Sequence, residues 1–143
     1  MKSGAHAAVS AVVGVAALAA TTPPVPAWAV LAVAVVVGVG IDFDHFLLAW
    51  YNTGSLTPVR RCLRDPRIVL LDQDAVFDDG SVGALNRLLS HVVIAGVAVP
   101  PLWLWRPYVA GLVGVSLYAH VLADLVSTTR RSVVVDRDDP TES

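Results

Sequence analysis

The sequence predicts an all-α polytopic membrane protein that forms a bundle of four transmembrane helices. Three observations support this prediction. Of the 143 residues, 55% are hydrophobic and 15% are charged, whereas about 25% of the residues of a soluble domain are charged. The apolar residues fall into four segments, 4–20, 27–50, 84–105 and 107–126, each close to the roughly 20 residues that a helix needs to cross a bilayer. Tryptophan and tyrosine, which favour the membrane interface, stand at the ends of these segments.

The first segment, residues 4–20, is the shortest, and its only polar side chains are His6 and Ser10. At about 1.5 Å per residue it reaches roughly 25 Å, which is just enough for one crossing. The proline-rich turn at 21–26 ends the helix and permits a tight reversal into the second segment. The alternative is a cleaved signal peptide, since the segment is rich in alanine and ends in small residues. Cleavage would remove His6.

The basic residues predict the orientation of the bundle. Outside the helices, Arg106 would lie on one side and all the others on the opposite side: Lys2, Arg60, Arg61, Arg64, Arg67, Arg130, Arg131 and Arg137. We therefore expect an integral protein of the cytoplasmic membrane, with both termini and the long connector 52–83 in the cytoplasm. In this prediction residues 1–128 form one membrane domain, and the polar tail 129–143 is disordered.

Charge and cysteine content exclude several classes of protein. The formal net charge of −2 gives no field that would attract nucleic acid, so we expect no nucleic-acid partner. A single cysteine, Cys62, excludes an internal disulfide framework and a cysteine-rich metal module. Charged side chains inside a membrane are costly and usually functional, so the polar residues within the apolar segments carry the functional signal.

These polar residues converge on one layer in the predicted topology. Each histidine lies near the cytoplasmic end of its helix, and so do the aspartates of the second and fourth helices. The layer contains His6, Asp42, Asp44, His45, His91, His120 and Asp124.

Helical spacing refines this layer. His120 and Asp124 are four residues apart and share a helix face, and Asp42 and His45, three apart, also share one. Asp44 is rotated by about 100° from His45 and about 200° from Asp42 on an ideal helix. Asp42 and Asp44 therefore face one site only if the helix unwinds there, and two glycines just upstream permit this.

Histidine together with aspartate forms a ligand set for a divalent metal ion such as zinc, manganese or iron. The donors outnumber what one tetrahedral ion needs, so the sequence allows either one ion surrounded by further carboxylates or two ions. The predicted metal ligands are His6, Asp44, His45, His91, His120 and Asp124.

Four residues are assigned to the reaction itself: Asp42, Asp44, Asp124 and Arg87. An aspartate that does not bind metal would act as general base. Arg87 would hold a phosphate-bearing substrate, or else extend to the membrane interface without a catalytic role.

Four motifs occur in order along the chain: His6, the run 41–45 (Ile-Asp-Phe-Asp-His), the run 86–91 (Asn-Arg-Leu-Leu-Ser-His), and His120 with Asp124. In this the chain resembles the small membrane-bound, metal-dependent hydrolases typified by the YdjM-like inner-membrane proteins. That family has an early His, then Pro-Asp-x-Asp-His, His-Arg-x-x-Thr-His-Ser and His-x-x-x-Asp. The resemblance spans most of the chain and implies a metal cofactor and hydrolysis.

The chain departs from the family pattern at three positions. Ile41 stands in place of proline, Asn86 in place of the first histidine of the third motif, and Ser90 in place of threonine. The loss of a histidine ligand at position 86 would weaken a metal site or change the number of ions it holds.

We therefore expect metal-dependent hydrolysis at the cytoplasmic membrane surface. The lipid bilayer is the expected partner and a lipid or phosphoester the expected substrate, because the site would open where headgroups lie. Three alternatives remain: a metal ion or proton transporter that uses the same layer as a relay, a haem-binding electron carrier, and a non-catalytic scaffold. The outer halves of the segments are almost purely apolar, which disfavours a path across the membrane.

Overall fold

The computed structural model describes residues 3–65 and 84–138, with side chains described for 4–65 and 85–130. The regular structure of these residues is helical. Its elements are α1 (Ser3–Ala20), α2 (Ala27–Gly40), a 3₁₀ turn (Ile41–Phe43), α3 (Asp44–Thr53), α4 (Thr57–Arg64), α5 (Ala84–Trp105) and α6 (Pro107–Asp138). The prediction of an all-α protein is confirmed for the described part of the chain.

Helices α1 and α2 pack closely against each other because small residues lie between them. A Cβ atom added at Gly14 would lie 2.9 Å from Leu31 Cδ2, and one added at Gly38 would overlap Ser10 Oγ. Small side chains allow membrane helices to approach closely. The alanine- and glycine-rich composition of these two segments is therefore a packing requirement, and it brings α1 to within reach of the polar end of α2.

Helix α6 is the central element, since it packs against α1, α2 and α5. One buried apolar cluster joins Val30, Ala34 and Leu112, and a second joins Ile41, Val113 and Leu117. Helix α5 contacts α6, and it contacts α3 through Ser90 and Asp44. The bundle thereby surrounds the junction between α2 and α3.

The second apolar segment is not one continuous α-helix, as residues 27–50 were predicted to be. A 3₁₀ turn at 41–43 separates α2 from α3, and α3 continues to Thr53. Gly54, with a φ of 65°, then ends α3 in the left-handed conformation that glycine adopts at little cost. The predicted connector 52–83 also contains the short helix α4.

Helix α5 continues through Pro100 and Pro101 to Trp105, the end that the sequence predicts for the third segment. One further expectation about helix ends needs correction. Helix α6 does not stop at Val126 but runs to Asp138, so the first part of the predicted disordered tail is helical. No glycine or proline occurs between Gly114 and Pro140, so the sequence holds no strong helix breaker at the predicted boundary. Residues 66–83 of the predicted connector lie outside the described residues.

Three described helical stretches are long and apolar enough to cross a membrane: Ala27–Thr53, Leu85–Trp105 and Pro107–Arg130. The stretch Gly4–Ala20 in α1 is apolar but shorter. Large apolar side chains on the outside of the bundle are exposed, for example Val36, Val97 and Leu104. This surface suits a lipid environment and, together with the three long apolar stretches, indicates a membrane protein.

The close approach of α1 to Gly38 makes a direct prediction about stability. A Gly38→Ala substitution should lower the free energy of unfolding by about 1–3 kcal/mol, because the added methyl group has no space beside Ser10. Thermal unfolding in detergent, followed by tryptophan fluorescence, measures the change. Gly40→Ala is the matched control, since nothing lies within 4 Å of its added Cβ. An equal loss of stability in both variants would contradict the packing described here.

Candidate metal centre

Seven ionisable side chains meet in the interior of the bundle, and we call them the polar centre. Each is buried, with exposed fractions between 0% for His91 and 8% for Asp44. They come from α1, from the 3₁₀ turn with α3, from α5 and from α6, and they comprise His6, Asp42, Asp44, His45, His91, His120 and Asp124. The structure therefore brings together all the residues that the sequence placed in one layer.

A first set of donors, the four-ligand group, consists of His6, Asp42, His120 and Asp124. One ligand atom from each of these residues lies within 4.8 Å of the others. His6 Nε2 is 3.1 Å from Asp124 Oδ1, and His120 Nε2 is 3.3 Å from Asp42 Oδ1. Two ligand atoms bound to a tetrahedral zinc ion at about 2.0–2.1 Å lie about 3.3 Å apart. The spacing of these pairs thus fits a metal ion.

A second set, the three-ligand group, consists of Asp42, His45 and His91, and its ligand atoms also lie within 4.8 Å of one another. His45 Nε2 is 3.6 Å from Asp42 Oδ1. Asp42 belongs to both groups. Asp44 belongs to neither, although it was predicted to be a ligand.

The orientation of His120 is set by the backbone of α2. Its Nδ1 atom donates a hydrogen bond of 2.7 Å to the carbonyl oxygen of Gly38. A neutral imidazole that donates through Nδ1 presents a lone pair at Nε2. This is the arrangement in which proteins commonly fix a histidine that binds a metal, with the other ring nitrogen held by a carbonyl or carboxylate.

The Asp42 carboxylate faces that lone pair without a hydrogen bond. Neither oxygen of Asp42 accepts a hydrogen bond of normal geometry within the described structure, and His120 Nε2 also has no such partner. Two buried acceptors 3.3 Å apart repel each other unless a cation or proton lies between them. A divalent ion satisfies both groups at once, and the donor set therefore fits a metal.

Asp44 has a different environment. It accepts hydrogen bonds from Ser90 and from His91 Nε2, the latter at 3.3 Å. The same hydroxyl lies 2.8 Å from the carbonyl oxygen of Arg87, and because it has one proton it donates to one of these two acceptors at a time. Asp44 thus orients His91 and leaves the Nδ1 atom of that ring, which is buried and has no hydrogen-bond partner, as a possible ligand.

The break between α2 and α3 explains how Asp42 and Asp44 reach the same centre. A 3₁₀ turn advances about 120° per residue, so residues three apart lie directly above one another. Asp42 lies in this turn and His45 in the first turn of α3, with His45 Nε2 3.6 Å from Asp42 Oδ1, and Asp44 contacts Ser90 of α5. The helix therefore departs from α geometry at 41–43, directly after Gly40, but it tightens there and does not unwind as the sequence predicted.

The sequence left the roles of Arg87 and Asn86 open, and the structure shows their environments on α5. Arg87 is partly buried, and its Nε atom is enclosed without a hydrogen-bond partner. Asn86, which replaces the histidine of the family motif, is exposed and belongs to neither ligand group. Position 86 therefore contributes no donor to the polar centre in this chain.

The sequence did not identify several polar groups that lie in or beside the polar centre. The Gly38 carbonyl cannot be recognised from sequence, because its role depends on where α6 packs. Ser90 was noted within a motif but not as a partner of Asp44. Ser10 and Ser116, buried at 2% and 1% exposure, lie four residues from His6 and His120 respectively, and this helical spacing was a usable signal.

The Ser90 contact predicts a specific effect on metal binding. Ser90→Ala should weaken the affinity for a divalent ion by roughly 10–100-fold, because second-sphere partners orient the ligands they contact. Titration of the purified protein with Zn²⁺ against a competing chelator measures the affinity. Asn86→Ala, on an exposed position of the same helix, should leave it unchanged. Equal affinities for both variants and the unmodified protein would rule out a role for the Asp44–Ser90 contact.

No protein-family model, no curated protein and no solved structure matches this chain. The similarity to the YdjM-like family therefore stays a prediction that rests on the four motifs.

Proposed function

We propose that the chain is a membrane-embedded, metal-dependent hydrolase whose polar centre holds a divalent ion close to the cytoplasmic membrane surface. The observation that carries the proposal is the pair of buried acceptors formed by Asp42 and His120 Nε2, which face each other at 3.3 Å without a hydrogen bond. In the proposal α1 makes the fourth crossing, and both termini lie in the cytoplasm, as the distribution of basic residues predicts.

The charge balance of the polar centre supports a bound cation. Asp42, Asp44 and Asp124 place three carboxylates inside an apolar bundle. The effective penalty for a buried, uncompensated charge is several kcal/mol, and the partly buried Arg87 of α5 is a cation close to His45. A divalent ion offsets the remaining negative charge more completely than hydrogen bonds alone.

The residues have distinct roles in this mechanism. Metal would be held by the ligand groups described above, of which the larger contains His6, His120, Asp42 and Asp124, and the Gly38 carbonyl keeps His120 in the tautomer that binds metal. When bound, a divalent ion supplies a Lewis acid that polarises a substrate oxygen and activates water. Asp44, held by Ser90 beside His91 and His45, is placed to accept a proton from a water molecule that enters the centre.

A phosphoester, such as a phospholipid or a lipid-linked phosphate, is the proposed substrate class. Arg87 is partly buried on α5 and close enough to His45 to interact with it electrostatically, and its Nε atom has no hydrogen-bond partner among the described residues. A guanidinium group binds a phosphate through paired hydrogen bonds. The centre also lies toward the ends of the bundle where α1 and α5 begin, which the proposed orientation places near the lipid headgroups.

The arrangement of the remaining polar residues favours hydrolysis over a relay across the membrane. Beyond the polar centre, the buried polar side chains of the described residues extend only to Ser10 and Ser116. The next layer of the bundle is the apolar cluster of Val30, Ala34 and Leu112. A transporter would need polar groups to continue past this cluster.

A hydrolysis assay tests the proposal. We expect purified protein loaded with Zn²⁺ or Mn²⁺ to release phosphate or headgroup from mixed micelles of anionic phospholipid, and a chelator to abolish this turnover. Arg87→Gln should lower kcat/KM by about 100-fold, since a charged hydrogen-bond donor is worth about 1.5–3 kcal/mol. Because Arg87 is not in either ligand group, this variant should retain its metal.

Asn86→Ala serves as the matched control on the same turn of α5 and should keep full activity. No turnover of phospholipids or of a soluble phosphate ester by metal-loaded protein would contradict the proposed reaction. Equal turnover by the Arg87→Gln variant would contradict the proposed substrate class.

A further inference from the structure

We infer that the polar centre holds two divalent ions that share the carboxylate of Asp42, and that the ion in the three-ligand group is the one that meets the substrate. The inference rests on the metal centre of the proposed function. It adds the number of ions and assigns them different roles.

The donors divide into two groups with one common member. The four-ligand group contributes His6, His120 and Asp124, and the three-ligand group contributes His45 and His91. Each group is compact by itself, with all its ligand atoms within 4.8 Å of one another. Asp42 is the residue that both groups contain, so it lies at their boundary.

The carboxylate of Asp42 lies close to ligands of both groups, so it could be shared between two ions. Oδ1 lies between two histidines, 3.3 Å from His120 Nε2 and 3.6 Å from His45 Nε2. Oδ2 faces a third, His6 Nε2, at 4.0 Å. Asp42 is buried at 7% exposure, and neither oxygen accepts a hydrogen bond of normal geometry in the described structure. One carboxylate thus borders ligands of both groups.

The imidazole rings also form two separate pairs. His6 stacks on His120 with ring centroids 3.9 Å apart, and His45 stacks on His91 at 5.4 Å. Each pair belongs to one ligand group. The pairs meet where His91 approaches the edge of His120, with centroids 4.9 Å apart. This arrangement gives two adjacent positions, as in hydrolytic sites where two ions lie about 3.5–4 Å apart.

The two positions differ in how completely the protein surrounds the ion. Four protein ligands complete a tetrahedral zinc site, whereas three leave a position for water or substrate. The three-ligand group also lies against α5, which supplies Ser90 to Asp44 and carries Arg87. The four-ligand position therefore stabilises the bundle, and the three-ligand position faces the proposed phosphate-binding arginine.

Metal stoichiometry tests this division. Unmodified protein, saturated with Zn²⁺ and freed of excess ion, should contain about two equivalents by mass spectrometry. The double variant His45→Ala/His91→Ala should contain about one, because the four-ligand group is left intact. Asn86→Ala should contain the same amount as the unmodified protein.

The outcomes separate this inference from the proposed function. One equivalent in both the unmodified protein and the double variant would overturn the second ion and leave a single metal centre. No bound metal in folded, unmodified protein would overturn both the inference and the proposed function.

A spectroscopic measurement on unmodified protein covers the case in which the double variant does not fold. After loading with Mn²⁺, two ions that share a carboxylate should give the electron paramagnetic resonance spectrum of a spin-coupled pair. The six-line spectrum of isolated Mn²⁺ at full occupancy would contradict the shared Asp42. Asp42→Asn should convert the coupled spectrum to the isolated form if this residue bridges the ions.

Discussion

The approach of Asp42 to His120 is the contact on which the rest of the polar centre depends. A carboxylate and an imidazole lone pair lie 3.3 Å apart in an apolar bundle, and neither has a hydrogen-bond partner of normal geometry in the described structure. Such an arrangement is unfavourable until a cation or a proton occupies the space between them. In the proposed function, folding and metal binding are coupled, since the ligands meet only when α1, α2 and α6 are packed.

The backbone of α2 makes this contact possible in two ways. The carbonyl of Gly38 accepts a hydrogen bond that fixes the ring of His120. Because Gly38 has no side chain, Ser10 of α1 can pack directly against it. A few residues later the helix tightens into the 3₁₀ turn at 41–43, which places Asp42 and Asp44 toward different neighbours. One short segment thus sets the positions of α1, of His120 and of two carboxylates, and packing and chemistry depend on the same residue at Gly38.

The sequence predicts much of this structure because the relevant signals are local. Apolar segments bounded by aromatic and proline residues gave limits for the first and third helices that agree with α1 and α5. The ionisable residues of the polar centre stood out because charges inside apolar segments are costly. The sequence predicted a break in this helix only if Asp42 and Asp44 share one site, and it gave no independent signal for the break at 41–43.

Other features depend on tertiary contacts and could not be derived from the sequence. The hydrogen bond from His120 to Gly38 joins residues far apart in the chain. The exposure of Asn86 follows from how α5 turns toward α6, and a motif comparison cannot give that rotation. The continuation of α6 beyond Val126 shows that polar composition alone does not end a helix when no glycine or proline follows.

The most direct measurement of the central claim is X-ray absorption spectroscopy of the purified protein loaded with Zn²⁺. A metal held by the polar centre should show nitrogen and oxygen neighbours at about 2.0–2.1 Å and the outer-shell scattering of about two imidazole rings per ion. His120→Ala should reduce the imidazole contribution. A spectrum with oxygen neighbours and no imidazole scattering would contradict the claim, because the ion would then lie outside the histidines that surround Asp42.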